Sequence, residues 1–454
     1  MLHADPSQFD MRVGSTTSLA EILGAFSYAL DLTEGQPAGH SLRACWIASR
    51  MAVALRLPAA ERRTVYYATL LKDLGCSSNA ARIAELYLAD DRQVKHDHKL
   101  LGVGTGPALN YVLTRTGRGQ RLGARAKAIL AILRDGPAIV TDLIQTRCTR
   151  GADIARQLRF PEPVAQAIAA LDEHWDGGGK PLGLRGDAIP LPARLALLAQ
   201  IADVFHAAAG PEAAVEEVAA RSGSWFEPAL AQCFAGLARE PGFWAELTHP
   251  AIEARVRAFE PEAQRVAVDE DYLDDIAAAF GAVIDAKSPY TGGHSGRVGY
   301  YAGALGEAMG VAGAELRTLK RGAMLHDVGK LAVSSRVLEK PGKLDDGEWE
   351  EMRSHAAHTT AILSRIAPLR DMAAVAGAHH ERLDGRGYPL GLDAMLIARE
   401  ARIITVCDFY DALTADRPYR AAMPVEQALG IMAGEVGKAI DGDCFAALRE
   451  IVTK

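Results

Sequence analysis

His379-His380-Glu381-Arg382-Leu383-Asp384-Gly385-Arg386-Gly387-Tyr388-Pro389 places two adjacent imidazoles just before a tight, glycine-rich turn. Neighbouring side chains of a helix project about 100° apart. Both can therefore converge on bound metal only where a helix frays into a turn. Upstream stand His294, the pair His326-Asp327 and His355. Downstream stands Asp408, within Cys407-Asp408-Phe409-Tyr410-Asp411-Ala412-Leu413. Imidazole and carboxylate are ligands that suit Mn, Fe and Zn. Six of the thirteen histidines fall between 294 and 380, and their ordered carboxylate partners argue against chance clustering.

Composition frames this cluster. The chain has 454 residues, room for two to four domains, with 49% hydrophobic and 24% charged residues. That balance is ordinary for a soluble protein with a sizeable core. A net charge of −7 argues against nucleic-acid binding through bulk charge. A small anionic substrate is compatible with it, because a metal site makes its own positive field. Six scattered cysteines with no Cys-x-x-Cys exclude zinc ribbons and dithiol motifs and suit a reducing cytoplasm. Asp5 and Asp10 precede any apolar run, unlike a signal peptide. The most apolar stretch, 193–210, is interrupted by Gln200, Asp203 and His206, so it reads as a core helix and no membrane span is expected.

Residues 1–15 read as a loose leader. From Ser18 onward apolar residues recur at helical spacing, beginning with Leu19, Ile22, Leu23, Phe26 and Leu30. Strand signals are nearly absent, and the fold class is all-α. The first half also repeats the second. Gly39-His40-Ser41-Leu42-Arg43 echoes Gly293-His294-Ser295-Gly296-Arg297, and Lys72-Asp73-Leu74-Gly75 echoes His326-Asp327-Val328-Gly329, both 254 residues apart. Glu173 through Leu184 echoes Glu381 through Leu392 at a separation of 208, so the first copy carries 46 more residues in between. The echo continues from Arg194–Asp203 to Arg402–Asp411.

At these offsets the first copy has lost its metal chemistry. Lys72 replaces His326, Leu171 and Asp172 replace His379 and His380, and Gln200 replaces Asp408, while His40 and Asp73 remain. His96 and His98 fall near the position of His355. An ammonium in place of a ligand repels a cation, so this copy is expected to be a metal-free scaffold or a ligand-sensing module. The added segment contains Arg115, Arg118, Arg121, Arg125 and Lys127, expected as a solvated basic face. Gly102-Val103-Gly104-Thr105-Gly106 follows no strand signal and does not read as a phosphate loop. Modules are expected at 16–246 and 271–454, joined by 247–270, with helices over Ile252–Phe259 and Tyr272–Ile284.

The ordered series His294, His326-Asp327-Val328-Gly329-Lys330, His355, His379-His380-Glu381, Gly387-Tyr388-Pro389 and Asp408 resembles the HD-GYP family of metal-dependent phosphohydrolases. Pro289-Tyr290-Thr291-Gly292-Gly293-His294-Ser295, Lys340-Pro341-Gly342-Lys343-Leu344 and Asp416-Arg417-Pro418-Tyr419-Arg420 agree with it, over roughly the last two-fifths of the chain. The resemblance implies two tandem HD-type helical bundles, the first degenerate. It implies metal ligation by His294, His326, Asp327, His355, His379, His380 and Asp408. Catalytic roles fall to Asp327, Lys330 and Asp411, the last orienting a ligand or water. Lys330, Arg417 and Arg420 would hold substrate phosphates, and Tyr388 would line the pocket. The implied reaction is hydrolysis of a cyclic dinucleotide, cyclic di-GMP first, with cyclic GMP-AMP the other family substrate.

Asp327 has two oxygens with which to bridge two ions, Gly329 lets the backbone pass close, and Lys330 offers a point charge to phosphate. Asp345 and Glu348 have capping-box spacing ahead of the helix that bears His355. Two departures matter. Ala356 and Thr359 stand where the family often has Pro and Gly. Tyr290 stands where some members carry a Glu for a third metal, and a phenol of pKa about 10 replaces it poorly. Two divalent ions are therefore expected: one on His294, His326, Asp327 and Asp408, the other on Asp327, His355, His379 and His380. Mixed ligands favour Fe or Mn, with Ni, Co or Zn compatible. Rival readings are another HD-superfamily nucleotide phosphohydrolase, a non-catalytic dinucleotide-binding module, and an interaction protein. The sequence leaves open a regulatory protein partner and a homodimer.

Overall fold

The computed structural model describes residues 18–102, 104–261, 268–416 and 421–453. Among them no strand occurs, and isolated bridges join Ser222 to Phe226 and Val436 to Ile440. The helix Leu19–Thr33 shows why the chain coils as it does. Ser18 caps it, its Oγ accepting from the Glu21 N–H at 3.3 Å, a contact worth about 1 kcal/mol. Leu19, Ile22, Leu23, Phe26 and Leu30 are all buried. The apolar stretch near 193–210 forms the buried helix Leu191–Ala209. No described helix is long and apolar enough to cross a membrane. The connecting region holds helices Ile252–Arg257 and Glu270–Asp285. Asp345 and Glu348 form the expected capping box, with bonds of 3.0 and 2.8 Å.

The sequence repeat persists to individual hydrogen bonds. His40 Nδ1 and His294 Nδ1 lie 2.7 Å from Asp203 and Asp411 respectively. Arg43 and Arg297 grip those same carboxylates at 2.7 and 2.6 Å. Ser41 and Ser295 hydroxyls donate to Asp31 and Asp285, each at 2.7 Å. Glu173 and Glu381 each gather three backbone N–H groups of the following turn.

The two halves share one core. A continuous cluster runs from Leu19 and Phe26 to Phe280, Leu325, Val328, Leu331 and Ile362. The Phe26 and Phe280 rings stack at 3.6 Å, a pairing worth about 0.5–1.5 kcal/mol beyond area burial. The Tyr272 hydroxyl donates to the Leu158 carbonyl at 2.6 Å. A second cluster, Val298 through Leu448, lies within the C-terminal half.

The extra segment of the first copy supplies helices Asp91–Lys99 and Thr105–Arg115 and much of the 36-residue helix Leu122–Gln157. Arg115, Arg118, Arg121 and Lys127 are exposed on it, as a solvated face requires, and Arg125 is half-buried. Val103 lies outside the described residues. The expectation for His96 and His98 needs correction. A Cβ on Gly329 would strike the His355 carbonyl oxygen and Thr359 N, and a Cβ on Gly75 would strike the Arg147 carbonyl oxygen and Gly151 N. Arg147 is thus the counterpart of His355. The insertion ends before this position, so the later offset already applies there.

Candidate metal centre

Five helices and a tight turn carry the histidines and carboxylates to one place. Helix His294–Ala308 begins at His294. Helix Gly313–Leu325 ends at His326, and Asp327 opens the tight turn Val328–Ala332. That turn lies against helix Asp346–Leu363, which bears His355, and the contact leaves no room for a side chain at 329. Thr359 fastens it: its hydroxyl accepts from Gly329 N at 3.0 Å and donates to the His326 carbonyl at 2.8 Å. The unexpected Thr therefore has a structural task. His379 and His380 follow the last turn of helix Arg370–Gly377. Gly377 lies so close to the Thr360 hydroxyl and the Ala356 carbonyl oxygen that a Cβ would collide with both. Helix Arg399–Thr414 presents Asp408 and, one turn on, Asp411.

The imidazoles are fixed with one nitrogen turned inward. His326, His355 and His379 place Nδ1 at 2.7, 2.5 and 2.6 Å from the carbonyls of Ala323, Met352 and Ala376. His294 places Nδ1 at 2.7 Å from Asp411. With Nδ1 as donor, each Nε2 presents a lone pair to the centre, the arrangement of metal-ligating histidine. Asp327 sits between two sets. Its Oδ2 is 3.5 Å from His294 Nε2 and 3.3 Å from His326 Nε2. Its Oδ1 is 3.5 Å from His355 Nε2 and 3.7 Å from His379 Nε2. Asp408 Oδ1 joins the first set, 3.5 Å from His294 and 3.8 Å from His326. His380 joins the second, its donor nitrogen grouped with those of His355 and His379.

These residues fit divalent ions. Ligands at about 2.0–2.2 Å from one ion stand about 3–3.6 Å from each other, close to the separations seen. His294 Nε2, His326 Nε2 and Asp327 Oδ1 are buried without a hydrogen-bond partner, a costly state unless something binds them. Burial opposes ionising Asp327, yet Lys330 and His326 hold its carboxyl well below the usual range. Burial likewise opposes charge on His326, but Asp327 and Asp408 push its pKa up to about 10, so a metal ion bound there would displace the proton from its Nε2. Burial lowers His355 to about 4, and burial with the neighbouring His355 lowers His380 to about 3. Burial, then the neighbouring His380, lowers His379 well below the usual imidazole range, so all three imidazoles of the second set favour the neutral, metal-ligating form.

Around this core, Lys330 Nζ lies 2.5 Å from Asp327 Oδ2. Tyr388 packs 4.8 Å from the His380 ring. Arg353, which sequence reasoning missed, lies 5.7 Å from the Tyr388 ring; it sits two residues before His355. Arg297 was also missed as the clamp on Asp411, although its echo at Arg43 was a signal. A cleft of about 170 Å³ beside His294, Asp327 and Lys330 is lined by Tyr290 and Glu339. Arg417 and Arg420 lie outside the described residues.

The corresponding place in the first half carries the protein's own cations among its carboxylates. Lys72 pairs with Asp73. Lys99 Nζ stands 2.8 Å from Glu34 and 3.8 Å from Asp73. Arg147 pairs with Asp172. Glu34, Asp73 and Cys76 form a buried acidic group, but these ammoniums already neutralise it. Burial, then Lys72, lowers His40 to about 4.

The profile of the HD domain family matches residues 140–230 and 279–444, a stretch in each half. The 3′3′-cGAMP-specific phosphodiesterase 3 of Vibrio cholerae is 46% identical over 436 residues, covering 96% of this chain and 95% of its own. The cyclic di-GMP phosphodiesterase response regulator RpfG of Xanthomonas campestris is 39% identical over 154 residues, 34% of this chain and 41% of its own. A crystal structure of a cyclic GMP-AMP-specific phosphodiesterase from V. cholerae superposes with a TM-score of 0.66 at 42% identity, covering 96% of this chain and 98% of that one. With motifs, geometry and matches in agreement, the chain belongs to the HD domain family, in its HD-GYP branch.

Proposed function

We propose that this chain is a metal-dependent phosphodiesterase that hydrolyses a cyclic dinucleotide, with 3′3′-cGAMP as its preferred substrate. The carrying observation is Asp327, whose two oxygens face two separate sets of imidazoles. The sequence alone put cyclic di-GMP first. The V. cholerae relative that matches nearly the whole chain, degenerate half included, is named for 3′3′-cGAMP, and that reverses the order. The two sets would hold two divalent ions, Fe or Mn by ligand type. Such ions supply Lewis acidity, lower the pKa of a water and stabilise charge on phosphoryl oxygens.

The chain's own residues do the rest. Asp411 accepts the His294 Nδ1 proton and keeps Nε2 inward, and Arg297 fixes Asp411. Lys330 balances Asp327 and stands beside the cleft for a substrate phosphate. Tyr388 walls the His380 side. Arg417 and Arg420 are assigned to phosphate by resemblance. Residues 271–454 form the catalytic module, 16–246 the degenerate one and 247–270 the link. Six unpaired cysteines suit a reducing cytoplasm.

The test is metal analysis of anaerobically purified protein, with chromatography of both dinucleotides. Faster loss of 3′3′-cGAMP to a linear product, stopped by chelation, is expected. Faster loss of cyclic di-GMP would reverse the substrate order, and no loss of either by metal-replete protein would overturn the activity.

A further inference from the structure

The first half retains a cavity where the second has its metal centre. Its volume is about 280 Å³, and it opens beside Val140. Arg147, Asp172 and Gln200, the counterparts of His355, His380 and Asp408, line it. Each charged group of its lining already has an opposite partner, Arg147 with Asp172, Lys99 with Glu34, and Lys95 with Glu34 and Asp91, so it offers no unpaired charge to an ion. Three polar atoms of lining residues are buried with neither a hydrogen bond nor an ion pair: Gln200 Oε1, Arg147 Nε and His98 Nε2. Gln200 is 3% exposed. An acceptor, a donor and an imidazole nitrogen are thus left idle, at a cost of about 1–3 kcal/mol each when nothing meets them. Trp225 and Tyr87 add aromatic surface to the aliphatic part of the walls.

These features select a flat, uncharged ligand with donors and acceptors on its edge. The volume sits at the small end of the about 300–1,000 Å³ usual for ligand pockets. It suits a nucleobase or nucleoside and not an entire cyclic dinucleotide.

One helix connects this cavity to the other half. The last turn of Asp91–Lys99 supplies His98 and Lys99 to the cavity. Its first turn grips the metal-bearing half. Asp91 Oδ1 accepts from Ser335 N at 2.8 Å. Arg92 donates to the Ala332 carbonyl, at the end of the turn that follows Asp327. Arg92 Nη2 also lies 2.7 Å from Glu351, one helical turn before His355. A ligand that orders the cavity end of this short helix acts on both supports of the catalytic centre.

We propose that this cavity is an effector site for an uncharged nucleobase or nucleoside, coupled through helix Asp91–Lys99 to the metal centre. The binding stands on its own, and only its value as regulation rests on the phosphodiesterase reading. The experiment is calorimetry on the full chain with adenine, adenosine and guanosine, without substrate, followed by amide hydrogen exchange. Saturable binding of at least one probe at one site per chain is expected. Leu143→Trp, which fills the cavity, and Gln200→Met, which removes the acceptor, each weaken it at least tenfold. Asp408→Asn, in the other half, leaves binding intact. Exchange at residues 328–335 and 351–359 slows on binding, and Arg92→Ala abolishes that slowing without abolishing binding. No saturable binding, or binding lost in Asp408→Asn and kept in both cavity variants, overturns the site. Binding without any change in exchange overturns the coupling. Neither readout needs turnover, so a failure of the phosphodiesterase assignment is seen separately.

Discussion

Asp411→Asn tests the centre through a residue that touches no ion. Asp411 accepts the Nδ1 proton of His294 at 2.7 Å and is itself clamped by Arg297 at 2.6 Å. An Asn amide can instead donate to Nδ1, which would move the imidazole proton to Nε2 and remove a ligand lone pair. Residues that orient metal ligands change metal affinity or activity by about 10–100-fold when replaced, or about 1.4–2.7 kcal/mol by the factor-of-ten rule. The same geometry recurs at His40, Asp203 and Arg43, where no metal is expected. Asp203→Asn is therefore an internal control. It loses a charge-assisted bond worth about 1.5–3 kcal/mol of stability but leaves metal affinity alone. The assay is metal titration by calorimetry, with denaturant unfolding of both variants. Unchanged metal affinity in Asp411→Asn, or an equal loss in Asp203→Asn, would refute the reasoning.

Three further outcomes are expected. Asp327→Ala removes the carboxylate shared by both imidazole sets and should reduce turnover by more than about 100-fold, beyond the usual effect of an orienting residue; turnover within tenfold of the parent would exclude this centre. Gly329→Ala drives a methyl into the His355 carbonyl and should cost about 1–3 kcal/mol together with activity. Gly75→Ala meets the equivalent contact at Arg147 and should cost similar stability while sparing metal binding, as melting curves and metal analysis would show. His40 has a folded pKa of about 4 against about 6.5 when unfolded. Between those values the unfolded chain binds the extra proton, so stability falls as pH drops from about 6.5 to about 4, by up to about 3 kcal/mol. Urea unfolding at pH 7 and 4.5 should show this slope reduced in His40→Gln.

Much of this was legible because motif order and local spacing carry it. Asp345 and Glu348 cap a helix through contacts within three residues, and such contacts are written in the chain. His379-His380 was readable as a helix end for the same reason. Three things were hidden because they depend on distant packing. Arg147 replaces His355 only because the insertion ends before it, which the collisions at Gly75 and Gly329 reveal. Thr359, a departure from the family pattern in sequence, bridges Gly329 and His326 through its hydroxyl. The shared core through Phe26 and Phe280 left no mark in either half's helical pattern, since each residue fits its own amphipathic face. Lys72, by contrast, announced the loss of the first centre outright, because an ammonium cannot ligate while protonated.

The most direct measurement is anomalous scattering from crystals grown metal-replete, recorded at the Mn and Fe edges. Two peaks should flank Asp327, one beside His294, His326 and Asp408, the other beside His355, His379 and His380. A single peak, a third beside Tyr290, or a peak among Glu34, Asp73 and Cys76 would contradict the account.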